Sequence, residues 1–358
     1  MKPLNIAVVG LHHLHSIGWI QNVQDVPTTR LAALAEGDTA LLQSVGQSHS
    51  GVHLDADWRR TVERPDVDLA IILLPHDEMP GAAVAAAESG KHLIVEKPCA
   101  IDASAFDIVV QTVGRTRVKA TSPYLWRYDP VVLRALALIA DGSLGTLLYG
   151  TGRFNAGGPE RYRELAPWML KQAQSGGGPL RNLGVHLIDV LCLLFDAEPT
   201  HVYCQLSRAA HGLEIEDHAR ALIEFDGGEQ GLVESSYVMP SCYPPTGYDS
   251  ALTLKGTKGY MSWEQRDNTL IACRADGRCD QGPVERTAGG WTDARGYGGE
   301  NGLEFLADFA NAIREDERPR ITLDDAARML RVVDAAHLSA HSHCLEPVAS
   351  GRSPGRSQ

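Results

Sequence analysis

The first 120 residues alternate short apolar runs with helix-like segments, and this alternation constrains the fold more than any other feature. Residues 5–10 (NIAVVG) form an apolar, β-branched run that ends in glycine, as a buried parallel strand does. Similar runs follow at residues 30–35, 69–74 and 92–95. Strands with helices between them predict an α/β fold with a doubly wound parallel sheet.

The turn after the first strand departs from the usual dinucleotide fingerprint. That fingerprint requires glycine at three positions; Gly10 supplies the first, but His12 and His15 occupy the second and third. A side chain at position 12 would displace a pyrophosphate, although the amides of His12 and His13 can still point at it from the helix N-terminus. We therefore predict that Gly10, Leu11, His12 and His13 bind the cofactor.

The end of the second strand indicates which cofactor is bound. Glu36 lies at about the distance from the glycine turn where an acidic residue binds the adenosine ribose hydroxyls. A carboxylate repels a ribose phosphate, and Gly37 offers no cation to offset it. NAD is therefore predicted in preference to NADP, with an exposed strand-end glutamate as the alternative.

The next two strand ends supply further candidates. Leu74, Pro75 and His76 follow one apolar run, and Glu96 and Lys97 follow the next. Because the carboxyl ends of parallel strands form one edge, these residues are predicted to lie where a dinucleotide binds. A cation there can reach both a cofactor ribose and a substrate hydroxyl. The alternative interpretation is that Lys97 is an ordinary solvated lysine at the end of a strand.

Histidine and cysteine patterns do not favour a metal site. His12 and His15 are three residues apart, but no cysteine or acidic residue lies near them in sequence, so we favour contact with phosphate or substrate, or helix capping. The seven cysteines include no C-x-x-C pair and are predicted to stay reduced. Cys99 is interpreted as a packing residue, because no base is assigned to it.

Beyond residue 122 the pattern changes to strands of alternating character separated by glycine-rich turns. This pattern predicts a second α/β domain with a large, mainly antiparallel open sheet, closed by helices at 302–315 and 323–341. The predicted domains are residues 1–121 and 122–345, followed by a disordered tail at 346–358.

A segment with three glycines, residues 175–189, carries the second group of candidates. The glycines precede an apolar helix, so the backbone is expected to approach another group closely there. Asn182 and His186 are four residues apart and share a helical face. Because this polar pair lies in an otherwise apolar helix, we favour a functional role for His186 over core packing. Asp189 is expected to be a partner of His186 or of a backbone amide.

Taken together, these residues resemble the Gfo/Idh/MocA family of oxidoreductases. The resemblance covers almost the whole chain and is most specific in Glu96-Lys97-Pro98 and in the triple-glycine segment leading to His186. It implies a Rossmann domain, a second domain whose open sheet forms a homodimer or homotetramer interface, and oxidation or reduction of a carbinol on a sugar or cyclitol with NAD or NADP.

The resemblance also suggests how the candidate residues would act. His186 would exchange the hydroxyl proton, Lys97 would stabilise the alkoxide and bind the cofactor ribose, and Asn182, where the family often has aspartate, would orient the substrate or His186. Three further residues would line the substrate side, with structural packing as the alternative for each: Arg127, Tyr124 and Trp168.

Two alternatives remain open at this level. An NAD-dependent glycosidase could use the same lysine and histidine for transient oxidation and elimination, and a non-catalytic dinucleotide-binding sensor would explain the imperfect glycine turn.

The net charge of −12 argues against nucleic acid or an anionic membrane as a partner. No apolar stretch approaches the roughly 18 residues of a membrane span, so a cytoplasmic enzyme is expected.

Overall fold

The computed structural model describes residues 2–239, 248–284 and 295–351, which form two compact units. Unit one comprises the described parts of Met1–Leu125, Tyr162–Gly176 and Thr287–Ala326, and unit two comprises those of Trp126–Arg161, Gly177–Arg286 and Ala327–Gln358. This division differs from the predicted continuous domains 1–121 and 122–345. Residues 122–125, 162–176 and the described part of 287–326, all from the predicted second domain, belong instead to unit one.

Helices and strands alternate in the first part of the chain, and strands predominate between residues 199 and 283. The helices, in chain order, are α1 Ser16–Asp25, α2 Thr39–Gly46, α3 Trp58–Glu63, α4 Met79–Glu88, α5 Ala103–Thr116, α6 Pro130–Ala140, α7 Glu160–Leu165, α8 Gln172–Ser175, α9 Val185–Phe195, α10 Gly299–Arg314 and α11 Leu323–Ser342. The strands are β1 Leu4–Val9, β2 Thr29–Ala35, β3 His53–Asp55, β4 Leu69–Ile72, β5 His92–Val95, β6 Ala120–Thr121, β7 Leu147–Gly157, β8 Pro199–Ser207, β9 His218–Phe225, β10 Gln230–Met239, β11 Tyr248–Gly256, β12 Gly259–Glu264, β13 Thr269–Arg274, β14 Cys279–Pro283 and β15 Glu346–Pro347.

Unit one is built on a six-stranded parallel sheet in the order β3-β2-β1-β4-β5-β6. The central strands are almost wholly apolar and fully buried, because helices cover both faces of such a sheet. The strand order reverses next to β1, where doubly wound folds bind dinucleotides. The predicted parallel sheet is therefore confirmed.

Helix α10 belongs to unit one rather than to the second domain, where the sequence pattern placed it. Its Phe305 ring lies 6.0 Å from the ring of Trp19 on α1. Just before α10, the carbonyl of Tyr297 accepts a hydrogen bond of 2.8 Å from Asn22 Nδ2. Both partners on α1 are buried, so apolar burial and a satisfied amide attach this late helix to the first sheet.

Unit two is built on a nine-stranded sheet in the order β14-β13-β12-β11-β7-β10-β9-β8-β15. Its pairs are antiparallel except for β7 with β10, which confirms the predicted mainly antiparallel sheet. Helix α9 packs on β7, where a Cβ added at Gly150 or Gly152 would touch Leu191 or Leu187 respectively. These two glycines let the helix approach the sheet closely.

One apolar segment, Gln172–Phe195, contains α8, the three glycines, a π turn and α9. Within the described residues it is the one run long and apolar enough to cross a membrane, and 94% of its most apolar window is buried inside the protein. Such burial is typical of a core helix in a large sheet domain.

Two smaller predictions are corrected. Cys273 and Cys279, directly opposite each other on β13 and β14, form a disulfide, so the prediction that all cysteines stay reduced is wrong for this pair. Cys242 lies outside the described residues. In the predicted disordered tail, residues 346 and 347 form β15, which pairs with β8, and residues 352–358 lie outside the described range.

Candidate active site

The turn after β1 is closed by a glycine that no other residue replaces easily. Gly10 has φ +94°, and a Cβ there would lie 2.7 Å from the carbonyl oxygen of Leu73 and 3.0 Å from the amide of Leu74. Both the dihedral and the close approach therefore require glycine. The structure thus brings the predicted residues Gly10 and Leu74 together at the ends of β1 and β4.

Glu36 at the end of β2 binds this turn directly. Its Oε2 accepts hydrogen bonds from the amides of Leu11 at 2.7 Å and His12 at 3.3 Å. The His12 amide thus donates to this carboxylate, and its contact with a pyrophosphate stays a prediction. Asp38 adds a second negative charge and caps α2 through the amides of residues 40 and 41.

Glu96 is turned into unit one rather than toward solvent. Its side chain is fully buried, and its carboxylate accepts hydrogen bonds from Trp19 Nε1 at 2.8 Å and from the amide of Lys97 at 3.2 Å. The Tyr297 hydroxyl donates a longer one, at 3.4 Å. Burial raises the pKa of Glu96, while the neighbouring His13 and Lys97 oppose the rise. This carboxylate therefore fixes the loop that carries Lys97; direct contact with the cofactor stays a prediction.

Lys97 follows β5 and lies among histidines. It is 2% exposed, and its charge is one of the groups that lower the pKa of His13, after burial and the charge of His15. His76 Nδ1 contacts the carbonyl oxygen of Ser175 at 2.8 Å. The carbonyl of Pro75 accepts from the amides of residues 78 and 79 and so starts α4. A cation and several imidazoles thus stand at the carboxyl ends of β1, β4 and β5.

Trp168 lies with the cofactor candidates of unit one. Its Nε1 donates to the carbonyl oxygen of His12 at 2.8 Å, and its ring lies 4.8 Å from His76 and 5.8 Å from His13. Tyr124, another residue predicted for the substrate side, is fully buried in unit one. A substrate role for either residue stays a prediction.

Unit two carries Asn182 and His186 on one helical run, as predicted, but the run begins with a π turn at Leu180–Gly184. Both side chains are largely buried. Asn182 Nδ2 donates to the hydroxyl of Tyr237 on β10 at 2.7 Å. No sequence signal singled out Tyr237, because it resembles any other inward residue of an alternating strand. π turns are frequent at functional sites.

The three glycines let the chain pass close to other groups before this helix. A Cβ at Gly176 would strike the backbone of Ile101 in unit one. In unit two, a Cβ at Gly178 would strike the backbone of Glu216, whose carboxylate accepts a 3.4 Å hydrogen bond from the Leu180 amide. Burial opposes ionisation of Glu216, but the His337 imidazole, 3.6 Å away, and backbone hydrogen bonds hold its pKa below the usual range. A carboxylate therefore anchors the helix start.

Arg127 and Asp189 form a buried bidentate ion pair that the sequence did not predict. Arg127 Nε and the terminal NH2 nitrogen lie 2.8 Å and 2.6 Å from the two carboxylate oxygens, and both residues are buried. Asp189 was expected to bind His186 or a backbone amide. The guanidinium of Arg127 is engaged by this ion pair, and its contact with substrate stays a prediction.

Asp189→Asn is expected to lower the free energy of unfolding by about 3–5 kcal/mol, because it leaves a guanidinium buried without its counter-charge. The double variant Arg127→Met with Asp189→Leu is expected to lose much less, since it removes both charges together. Urea denaturation of the wild type and the two variants measures this. Equal losses in the single and double variants would contradict the ion-pair explanation.

The residues of unit one fit a dinucleotide. Gly10 allows the close approach at the strand edge, two acidic residues at the β2 end match ribose hydroxyls rather than a phosphate, and His13 presents a buried imidazole beside Lys97. Among the described residues no group of three or more histidine, cysteine or acidic side chains could hold a metal ion. Burial raises the pKa of Cys99 to about 12, which disfavours it as a nucleophile.

Comparison with protein-family models agrees with this geometry. Residues 4–124 match the oxidoreductase family with an NAD-binding Rossmann fold, and residues 132–262 match the GFO/IDH/MocA C-terminal domain. The protein belongs to the Gfo/Idh/MocA family of NAD-binding oxidoreductases.

Several curated relatives are similar along most of the chain. Levoglucosan dehydrogenase of Pseudarthrobacter phenanthrenivorans is 24% identical, covering 95% of this chain and 97% of that protein. The scyllo-inositol 2-dehydrogenase (NAD(+)) of Bacillus subtilis is 26% identical, covering 71% of each chain. D-xylose 1-dehydrogenase (NADP(+)) 2 of Haloferax volcanii is 23% identical, covering 87% of this chain and 90% of that protein.

The same fold occurs in solved structures. Levoglucosan dehydrogenase in complex with NADH superposes with a TM-score of 0.85 at 20% identity, covering 97% of this chain and 100% of that one. An oxidoreductase domain protein from Kribbella flavida gives 0.84 at 20% identity, with 98% and 100% covered. At these identities the likeness establishes the fold.

Proposed function

We propose that this oxidoreductase oxidises or reduces a carbinol carbon of a sugar, cyclitol or related polyol with NAD. The observation that carries the proposal is the buried Lys97 directly after β5, on the carboxyl edge of an NAD-binding sheet. The relatives named as sugar and inositol dehydrogenases support the substrate class. NAD, when bound, accepts or supplies the hydride.

Lys97 is proposed to stabilise the developing alkoxide of the substrate. A buried cation aimed at a forming negative charge acts strongly, because little water screens it. Glu96, the residue before Lys97, accepts hydrogen bonds from the Lys97 amide and from Trp19 Nε1 and so holds this part of the loop in place. The carboxylate therefore orients the lysine while staying inside the unit.

His186 is proposed to take the hydroxyl proton during oxidation and to return it during reduction. Asn182 orients the substrate or His186 with a neutral amide, and its own orientation is held by the bond to the Tyr237 hydroxyl. An amide cannot stabilise an imidazolium by charge. Lys97 is consequently proposed as the main charged group at the reacting carbon.

NAD is proposed as the working cofactor in preference to NADP. Glu36 and Asp38 place two carboxylates at the end of β2, where the adenosine ribose of a dinucleotide lies in this fold. They repel a ribose phosphate, and Glu36 can exchange its bonds to the turn amides for bonds to ribose hydroxyls. Parallel titrations with NADH and NADPH measure the preference.

The direct test is to mix the protein with NAD and a panel of sugars, cyclitols and aryl glycosides. NADH absorbance and released aglycone are followed together. Accumulation of NADH with a sugar or cyclitol supports the dehydrogenase. Release of aglycone without net NADH would instead support the glycosidase, and tight NADH binding without turnover on any compound would support a non-catalytic sensor.

We further propose that a second copy of the chain covers the open face of the nine-stranded sheet. Leu222 and Tyr260, on the face opposite α9, are 39% and 38% exposed. Leu222→Glu is expected to convert an oligomer to a monomer in light scattering, because it buries a charge in the contact. The control is Leu338→Glu on α11, where the leucine is 53% exposed. A monomeric wild type would contradict the proposal.

A further inference from the structure

The hydrogen-bonding pattern of His13 fixes the position of its proton. The ring is 3% exposed, and Nδ1 accepts a hydrogen bond of 3.1 Å from the backbone amide of His15. Burial, followed by the charge of His15, holds the pKa of His13 well below its ordinary value. The neutral ring therefore carries its hydrogen on Nε2.

That Nε2–H group is buried and has no hydrogen-bond partner among the described residues. Buried donors without an acceptor are rare in native proteins and cost stability. The neighbouring rings of His15 and Trp168, at 4.7 Å and 5.8 Å, cover the imidazole. If the side chain at position 13 served only to fill the core, an apolar ring of similar size would give greater stability.

The location of His13 indicates what the missing acceptor is. The residue follows the Gly10 turn at the end of β1, and the charges of Lys97 and His76 both act on it. It therefore stands at the strand edge where the dinucleotide and the reacting carbon are proposed to bind. Side chains that cover a donor commonly change rotamer when a ligand binds.

We propose that the His13 side chain donates a hydrogen bond from Nε2 to an oxygen atom of the bound ligand, either on NAD or on the substrate. The inference rests on the proposed function and adds a specific donor to it. A neutral imidazole serves such a role without adding charge, so it complements the cation of Lys97. The stability lost through the unpaired donor is recovered when the ligand binds.

The test is His13→Phe, which keeps a ring and removes the donor. The melting temperature of the ligand-free variant is expected to equal or exceed that of the wild type. Either the Kd for NADH, from fluorescence titration, or the KM for the sugar is expected to rise about fivefold to tenfold. A raised Kd assigns the acceptor to the cofactor, and a raised KM with unchanged Kd assigns it to the substrate. His13→Gln, which restores an N–H donor, is expected to recover part of the loss.

The matched control is His92→Phe. His92 also lies in unit one and also accepts a backbone hydrogen bond at Nδ1, from Lys119 at 3.0 Å, but it is remote from the turn in sequence and begins β5. Unchanged Kd and KM in His13→Phe would overturn the inference. Failure of the wild type to oxidise any compound would overturn the proposed function instead; the Kd for NADH would then decide alone, and an unchanged Kd in His13→Phe would overturn the inference.

Discussion

Lys97→Met is expected to lower kcat by roughly 10²–10³-fold while the Kd for NADH stays within a few-fold of the wild type. The physical reason is that a preorganised charge beside a forming alkoxide stabilises the transition state more than the ground state. Methionine keeps the apolar length of the side chain, so the melting temperature is expected to hold. Steady-state kinetics and fluorescence titration measure the two effects.

Lys91→Met is the control for this variant. Lys91 is also a buried lysine of unit one, but its Nζ donates to the carbonyl oxygens of Arg64 at 2.6 Å and Val67 at 3.0 Å. Its loss leaves two buried carbonyls unsatisfied, so stability falls while kcat of the folded fraction is retained. Near-normal turnover in Lys97→Met would contradict the assignment of the active-site lysine.

His186→Asn is expected to lower kcat by roughly 10²–10⁴-fold, the usual contribution of a positioned general acid or base. The NADH affinity is expected to stay unchanged, because the dinucleotide is held by residues of unit one. Asn182→Ala is expected to lower kcat less, since it removes an orienting group rather than the proton acceptor. Single-turnover kinetics separate the chemical step from product release.

The control for His186 is His341→Asn, which changes an exposed histidine near the end of α11. Its kinetic constants are expected to match the wild type. Equal kcat in His186→Asn and His341→Asn would exclude His186 as the acid or base. It would leave Lys97 as the candidate for proton transfer.

The sequence predicted the elements and the strand-end residues well because these depend on local periodicity. The apolar runs before Gly10, Leu74 and Glu96 became β1, β4 and β5, since buried parallel strands need continuous apolar sequence. Glycine spacing likewise located the close approach before α9. Each of these signals is contained within a dozen residues.

What could not be predicted is the choice of partners by polar groups far apart in sequence. Glu36 binds the amide of Leu11, and Asp189 pairs with Arg127, although many other donors were available to each. α10 joins unit one because Phe305 packs near Trp19, a contact across most of the chain. Such pairings depend on three-dimensional proximity and produce no periodic pattern in the sequence.

The Cys273–Cys279 disulfide shows the same limit in another form. The two cysteines are six positions apart in sequence, a spacing that has no motif of its own. Only the register of the β13–β14 hairpin places them opposite each other. The register of a hairpin is set by the turn and by the buried face together. The cysteine pairing therefore could not be predicted from the sequence alone.

Direct hydride transfer can be followed with a sugar or cyclitol from the panel that carries deuterium on its carbinol carbon. The reaction with NAD is analysed by mass spectrometry of the recovered nucleotide. Direct transfer predicts that the deuterium appears on the nicotinamide ring in step with formation of the oxidised product. Product formation with unlabelled nucleotide, or with the label released to water, would contradict it.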